Sequence, residues 1–357
     1  MRNSGGAAPR RPTMKDVARE AGVSVSAASF ALNDRPGVSD ATRRRVVRVA
    51  DRLGWRPSSA ARALSGDRSG AVGLALARPA DSLGIEAFLL QLVSGIQATL
   101  APRHHALVFQ MVGDVRAECE LYRRWWAEGR VDGVIVVDPR VSDPRPEALA
   151  VLGLPAVVVG GMEAPRSAGT PPLTAHAKLS NLWADDVGAM DLIVRHLHGL
   201  GHLRIAHIAG TPGFAHTARR IASLRSTARH LGLEHAVSVT SDFTDRQGAR
   251  AARLLLSAPA PPTALICDNE VIAMAALSVA AELGLRIPGD LSVVSWEDSA
   301  LRRSLPVRLT SLVRKPDEFG HRAALELLAL LDGDAPRQIQ DPPPVLQARG
   351  STAAPPA

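Results

Sequence analysis

Apolar positions along this chain recur with two different periods, and the change between them falls near residue 70. In residues 13–33, TMKDVAREAGVSVSAASFALN, Val17, Ala18 and Ala21 share one face of a helix that Thr13 can cap, Asp16 can favour from its first turn and Gly22 can end. Ser24 is placed to cap a second helix, with Val25, Ala28 and Leu32 inward and Ser26, Ala27, Ser29 and Phe30 outward. After a loop over 33–38, Ser39 opens a third helix, residues 40–53, whose apolar stripe is Val46, Val47, Ala50 and Leu53 and whose stop is Gly54. Helix, glycine turn, second helix is either an ordinary helical hairpin or a helix-turn-helix whose second helix can lie in a DNA major groove.

From Ala71 the pattern becomes short apolar runs bounded by Gly, Pro or Asp. The runs at 71–77, 105–112, 131–138 and 155–161 are separated by amphipathic stretches near 86–101, 115–129 and 144–152. A second series follows at 204–210, 235–242, 263–268 and 291–298. This alternation predicts parallel sheets with helices on both faces, and two series in one chain predict two lobes. A ligand would then sit between the lobes, outside the carboxyl ends of the strands.

Charge separates the two readings of the first segment. Residues 1–66 hold thirteen Lys and Arg against five Asp and Glu, a balance of +8, while the whole chain is +7, so the remainder is near −1. Phosphate neutralisation needs such a local field; a merely soluble hairpin does not. The scarcity of lysine beside arginine carries no functional weight. Two cysteines, Cys119 and Cys267, are too few and too distant for a disulfide framework and form no CxxC, which fits a reducing, cytoplasmic setting. No run of eighteen apolar residues occurs and the basic N-terminus lacks an apolar segment behind it, so neither secretion nor membrane insertion is expected. His196, His198 and His202 suggest a metal site at first sight, but no acid or cysteine accompanies them, and no metal or cofactor is expected. GxxxxGK, GxSxG and HExxH patterns are absent, and no catalytic residue is assigned.

The run TMKDVAREAGVSVSAASFALNDRPGVSDATRRRVVRVADRLGWRPSSAARAL resembles the DNA-binding head of the LacI/GalR family of bacterial transcription regulators. GLGHLRIAHIAG at 199–210, TALICDNEVIAMAAL at 263–277, GLRIPGDLSVVSWED at 284–298 and LTSLVRKPDEFGHRAALELL at 309–328 extend the resemblance through residues 13–350. It implies an all-α helix-turn-helix head with a hinge helix, joined to an α/β two-lobed core like the periplasmic binding proteins. The expected divisions are a disordered basic tail (1–12), the head (13–57), hinge and linker (58–70), the core (71–350) and a tail (351–357). Within the core the first lobe would hold about 71–198 and 309–341, and the second about 199–308 and 342–350.

By the same resemblance the protein would be a repressor, binding double-stranded DNA at a pseudo-palindromic operator as a homodimer, with tetramerisation undecided. A small-molecule effector, first a carbohydrate and second a purine or nucleoside, would occupy the cleft. DNA-contact candidates are Thr13, Val25, Ser26, Ala27, Ser29, Phe30, Asn33, Arg35, Ser39 and Arg56, with Ser58, Ala61 and Leu64 in the hinge. Leu64 would wedge into the central base step beside Ala61, trading unstacking for a bend. Family members often carry Thr-Val-Ser-Arg where this chain has Ala27, Ala28, Ser29 and Phe30, which removes a bidentate arginine contact to guanine; Phe30 can meet a thymine methyl or pack inward.

Cleft candidates are Arg220, which would grip the effector, Asn269, Glu297 where an aspartate is usual, and Trp296, with Trp183 and Phe214 behind them. Each has a plain alternative: Arg220 on a solvated face beside Arg219, Asn269 as a helix cap, Glu297 as a loop acid, and the aromatics in the core. Arg220→Ala would then weaken effector binding without changing the fold. A solute-binding protein or an α/β enzyme on the same two lobes remain the alternatives; the basic head opposes the first, and the missing nucleophile or phosphate loop opposes the second.

Overall fold

The computed structural model describes residues 10–56, 68–78, 87–162, 178–298 and 307–356. The chain divides into two compact units, Met1–Ser69 and Gly70–Ala357.

Three helices make the described part of the first unit: α1 (Met14–Ala21), α2 (Val25–Leu32) and α3 (Asp40–Leu53). Thr13 accepts from the Asp16 amide while the Asp16 carboxylate accepts from the Thr13 amide at 2.8 Å, a reciprocal cap that satisfies two otherwise unpaired donors. Gly22 takes the left-handed conformation (φ 63°) that ends α1, and Ser24 caps α2 three residues on. Val17, Ala18, Ala21, Ala28, Ala31, Val46, Val49, Ala50 and Trp55 form the core.

Two expectations about this core are corrected. Val25 is 45% exposed and Ala31 is buried in its place, beside Ala28. On α3, Val47 is 41% exposed and Val49 is buried; valine stands on both sides of the stripe, so apolar identity could not fix the phase. Of the expected tail and hinge, residues 1–9 and 57–67, with Ser58, Ala61 and Leu64, lie outside the described residues.

The second unit is built on two six-stranded sheets. The first has order β11-β5-β4-β3-β1-β2, from β1 (Ala71–Ala77), β2 (Ala106–Val112), β3 (Gly133–Val136), β4 (Ala156–Val159), β5 (Leu179–Trp183) and β11 (Gln338–Gln340). The second has order β12-β10-β9-β8-β6-β7, from β6 (Arg204–Ala209), β7 (His235–Thr240), β8 (Ala264–Cys267), β9 (Ser292–Ser295), β10 (Thr310–Val313) and β12 (Val345–Gln347). Every pairing is parallel except β10 with β12. Helices α4 (Ala87–Leu100) and α11 (Pro316–Asp332) cover one face of the first sheet, and α5 (Val115–Ala127) and α6 (Arg145–Leu152) the other. In the second lobe α7 (Asp186–Gly199) and α8 (Ala215–Leu231) pack on one face, and α9 (Asp245–Leu256) and α10 (Glu270–Glu282) on the other.

The eight apolar runs are all strands. The first two lobe crossings need correction. The first precedes α7 instead of following it, at about 184–186, because Ala189, Met190, Ile193, Val194 and Leu197 bury against Ile205 and Leu224 of the second lobe. The second follows β10, which pairs with β9, and falls at 314–315. The third runs between β11 and β12.

Residues 351–356 are not a loose tail either. Ser351 is fully buried and donates to the Val293 carbonyl at 2.6 Å, and Thr352 pairs with Thr310 at 2.8 Å. His202 is held by Thr263 (2.8 Å), Ser292 (3.0 Å) and the Ala353 carbonyl (2.9 Å), which gives it a structural role in closing this segment on the sheet.

α4 and α11 approach so closely that a Cβ on Gly320 would stand 2.1 Å from the Leu92 carbonyl oxygen, and one on Gly95 would stand 1.9 Å from that of Asp317. Both obstacles are backbone and cannot rotate away. Gly320→Ala is therefore expected to destabilise the protein by about 2 kcal/mol or more, read as a lowered chemical-denaturation midpoint; an unchanged midpoint would mean that the two helices can separate freely.

Candidate functional site

On α2 the structure gathers Val25, Ser26, Ser29, Phe30 and Asn33 along one outward strip. Val25, Ser26, Phe30 and Asn33 are exposed, with Ser29 and Ala27 half-buried. Phe30 is 38% exposed, and its ring edge lies 3.3 Å from where a Gly37 Cβ would stand, so the following loop supports the ring without covering it. Arg43 fixes that loop, donating to the carbonyls of Ala31 (3.2 Å) and Arg35 (2.9 Å) and pairing with Asp34 (2.9 Å). It thereby satisfies carbonyls at the end of α2 that the helix itself leaves open. Lys15, Arg35, Arg44, Arg45 and Arg48 have no ion-pair partner among the described residues. Thr13 and Ser39 act as helix caps, and Arg56 pairs with Asp51 at 3.0 Å.

In the second unit a cavity of about 80 Å³ lies between the lobes, at the carboxyl ends of the strands. Arg220, from the first turns of α8, is its organising charge. Its Nε and Nη2 reach Asp186 Oδ1 at 3.0 Å, and its Nη1 reaches Asp268 Oδ1 at 3.1 Å. The guanidinium stacks over the Trp296 indole, 3.9 Å from the ring centre. Arg219 binds the other Asp186 oxygen at 2.7 Å and donates to the Gly160 and Gly161 carbonyls of the first lobe. Asp268 is held further by His207 at 2.9 Å and by the Gly210 amide at 2.8 Å. Burial is the largest influence on both aspartates and opposes their charge, but Arg220 acting together with His216 and Arg219 at Asp186, and with His207 and the Gly210 amide at Asp268, outweighs it and holds both below the usual carboxylate range.

Opposite, Arg78 pairs with Asp138 at 2.7 Å and faces the rings of Phe214 and Phe243, each at 5.4 Å. Asp138 takes a left-handed backbone (φ 52°), and its carbonyl is fixed by Arg145 at 2.8 Å. Arg145 is itself buried with Glu118 and Asp143. The lobes meet directly at the rim, where the Val141 amide donates to the Gly213 carbonyl (2.9 Å) and the Ala215 amide to that of Pro139 (2.8 Å).

The cleft candidates separate on this geometry. Arg220 and Glu297 line the cavity. Asn269 does not: it caps α10, accepting from the Ile272 amide at 2.8 Å and donating to the Phe243 carbonyl. Its neighbour Asp268 is the residue that faces inward. Trp296 is buried beneath Arg220 instead of forming a wall, so its indole covers a guanidinium and not a ligand. Trp183 ends β5, paired with Gln340, and Phe214 is buried at the rim, stacked with Phe243 and tilted against His216; neither lines the cavity. Sequence reasoning missed Arg78, Asp138, Asp186, His216, Phe243 and Arg314. A signal existed for most of them, since Arg78, Asp138, Asp186 and Arg314 each stand within three residues of a strand end.

Comparison with known proteins bears on both sites. Residues 13–58 match the model of bacterial regulatory proteins of the lacI family, and residues 194–352 that of the periplasmic binding protein-like domain. The regulator CelR of Thermobifida fusca is 30% identical over 333 residues, 93% of this chain and 95% of that protein. The chain belongs to the LacI family.

The repressor CytR of Escherichia coli is 29% identical over 90% of each chain. Among solved structures, a CelR–cellobiose complex covers 96% of this chain and all of its own at 29% identity, with a TM-score of 0.69. The lac repressor dimer bound to operator and an anti-inducer shares the fold at 24% identity, with a TM-score of 0.78. This LacI-family chain is accordingly a DNA-binding transcriptional regulator and not an enzyme. No helix among its described residues is long and apolar enough to cross a membrane.

One pH dependence follows from the cleft. His216 sits among Phe214, Phe243, Arg220, Asp138, Asp186 and Asp268, and its pKa is pushed down to about 4, mainly by burial and then by Arg220. An unfolded imidazole takes up its proton near pH 6.5. Between those values the unfolded state binds more protons, so stability falls as pH falls from about 6.5 to 4. His216→Gln is expected to remove about 2 kcal/mol of that loss, measured as unfolding free energy against pH. Parallel curves for both proteins would show that His216 protonates freely in the folded state.

Proposed function

We propose that this regulator is a repressor that binds a pseudo-palindromic operator as a homodimer and is controlled by a small sugar in the interlobe cleft. The observation that carries the reading is the ion-paired cleft around Arg220, spanned by hydrogen bonds between the lobes at its rim and from Arg219 to the Gly160 and Gly161 carbonyls. The solved relative CelR carries cellobiose, which supports a carbohydrate for this chain.

At about 80 Å³ the cavity is far smaller than the roughly 300–1,000 Å³ of small-molecule sites, so a sugar would be accommodated by parting the 139–141 and 213–215 segments. A ligand that prefers the parted state shifts the balance of lobe arrangements, and that shift is what the DNA-binding heads would sense. On DNA, Val25, Ser26, Ser29 and Phe30 would face the base edges, with apolar contact from Phe30 to a thymine methyl; Thr13, Asn33, Arg35, Ser39 and Arg56 would lie along the backbone. Leu64, beside Ser58 and Ala61, would wedge the minor groove at the operator centre. The site of action is the cytoplasmic DNA.

Fluorescence anisotropy of a selected operator fragment, with and without cellobiose and its component monosaccharide, tests the reading. At least one sugar is expected to change operator affinity about tenfold. Constant affinity across a broad sugar panel would overturn a carbohydrate effector.

A further inference from the structure

The charges of the cleft are compensated in pairs with one exception. Arg220 has Asp186 and Asp268, Arg78 has Asp138, and Arg219 shares Asp186. Arg314 follows β10 at the second crossing and lines the same cavity as Arg220, Phe88 and Glu297. Its guanidinium lies over the Phe88 ring, 5.0 Å from the centre, and has no hydrogen-bond or ion-pair partner among the described residues. The carboxylates that act on it from further off are engaged or offset: Asp186 by Arg219 and Arg220, Asp341 by Arg322 at 2.6 Å, and Glu297 without forming an ion pair to it. Burial and the neighbouring Arg220 both work against its charge.

A half-buried guanidinium with no anion beside it among the described residues is costly, and the cavity that Arg314 lines gives an anion a way to reach it. We propose that the effector carries a single carboxylate, as a sugar acid does, and that Arg314 is the residue that binds it. The planar fork of arginine matches a carboxylate with two parallel hydrogen bonds. A phosphate dianion is disfavoured, because Asp138, Asp186, Asp268 and Glu297 line the same space and only one cation there is uncompensated. A neutral sugar would leave the charge of Arg314 unanswered. The inference rests on the cleft being the effector site and narrows the class of ligand.

The test is thermal unfolding of the full chain in sodium gluconate, glucuronate and galacturonate, each against sodium chloride at equal ionic strength, with glucose, galactose and sodium phosphate in parallel. At least one carboxylate is expected to raise the midpoint beyond chloride, phosphate and the neutral sugars. Arg314→Gln should weaken that apparent affinity about thirtyfold or more. Arg314→Lys, which keeps the charge and loses the fork, should fall between and serves if the glutamine variant folds poorly. No rise with any carboxylate, or an equal response in Arg314→Gln, overturns the proposal. A rise with glucose or galactose alone overturns it while leaving the cleft as the effector site; no rise with any solute counts against the cleft as well.

Discussion

Arg220→Ala is expected to lower the unfolding free energy by about 3–5 kcal/mol, in addition to abolishing effector binding. The side chain is almost wholly buried and bridges two buried carboxylates, so its removal takes from Asp186 and Asp268 the cation they share and leaves Arg219 on the one and His207 and the Gly210 amide on the other. It also uncovers one face of the Trp296 indole. This differs from the expectation drawn from sequence, in which Arg220 could be removed without touching the fold. The measurement is chemical denaturation of the wild type, Arg220→Ala, Asp186→Asn and the double variant. Because one residue's loss leaves the other uncompensated, the double variant should be more stable than the sum of the two single losses predicts. Additive losses, or a loss below about 1 kcal/mol for Arg220→Ala, would show that the pair lies open to water.

Removing residues 1–66 is expected to abolish retention on operator DNA, a fall of a thousandfold or more in affinity on the order of the usual gap between specific and nonspecific binding, while the rest of the chain stays folded. The first unit holds the basic excess and the exposed strip of α2, whereas the remainder is near −1 and has four buried cores of its own. Gel retardation with circular dichroism on the truncated chain reads both outcomes. Retention that survives truncation would place DNA binding on the two-lobed unit instead.

Most of the architecture was legible because the signals were local. Thr13, Ser24 and Ser39 mark helix starts by their own side-chain chemistry, and Gly22 and Gly54 mark stops by adopting positive φ. The apolar runs of the sheets declared themselves in the same way. What escaped was decided by partners distant in sequence. The three-residue strands β11 and β12 exist because β5 and β10 offer them an edge, and α7 belongs to the second lobe because of what it packs against. The phase of α3 was ambiguous because Val46, Val47 and Val49 all read as apolar.

The cleft divides similarly. Arg220 and Glu297 could be picked out one at a time, but Asp186 meets Arg220 across 34 positions, and nothing near Asp186 in sequence announces that pairing. Asn269 and Asp268 are adjacent, and both flank a strand end; only the fold determines which one caps the helix and which one turns into the cavity.

The central claim is that this chain reads a specific DNA sequence. Its most direct test is selection of genomic fragments by the purified full-length protein at two salt concentrations, followed by sequencing. A palindromic motif that stays enriched at the higher salt is the result predicted here, since the base contacts proposed for α2 would persist when phosphate contacts are screened. Retention that vanishes with salt and favours no sequence would contradict it.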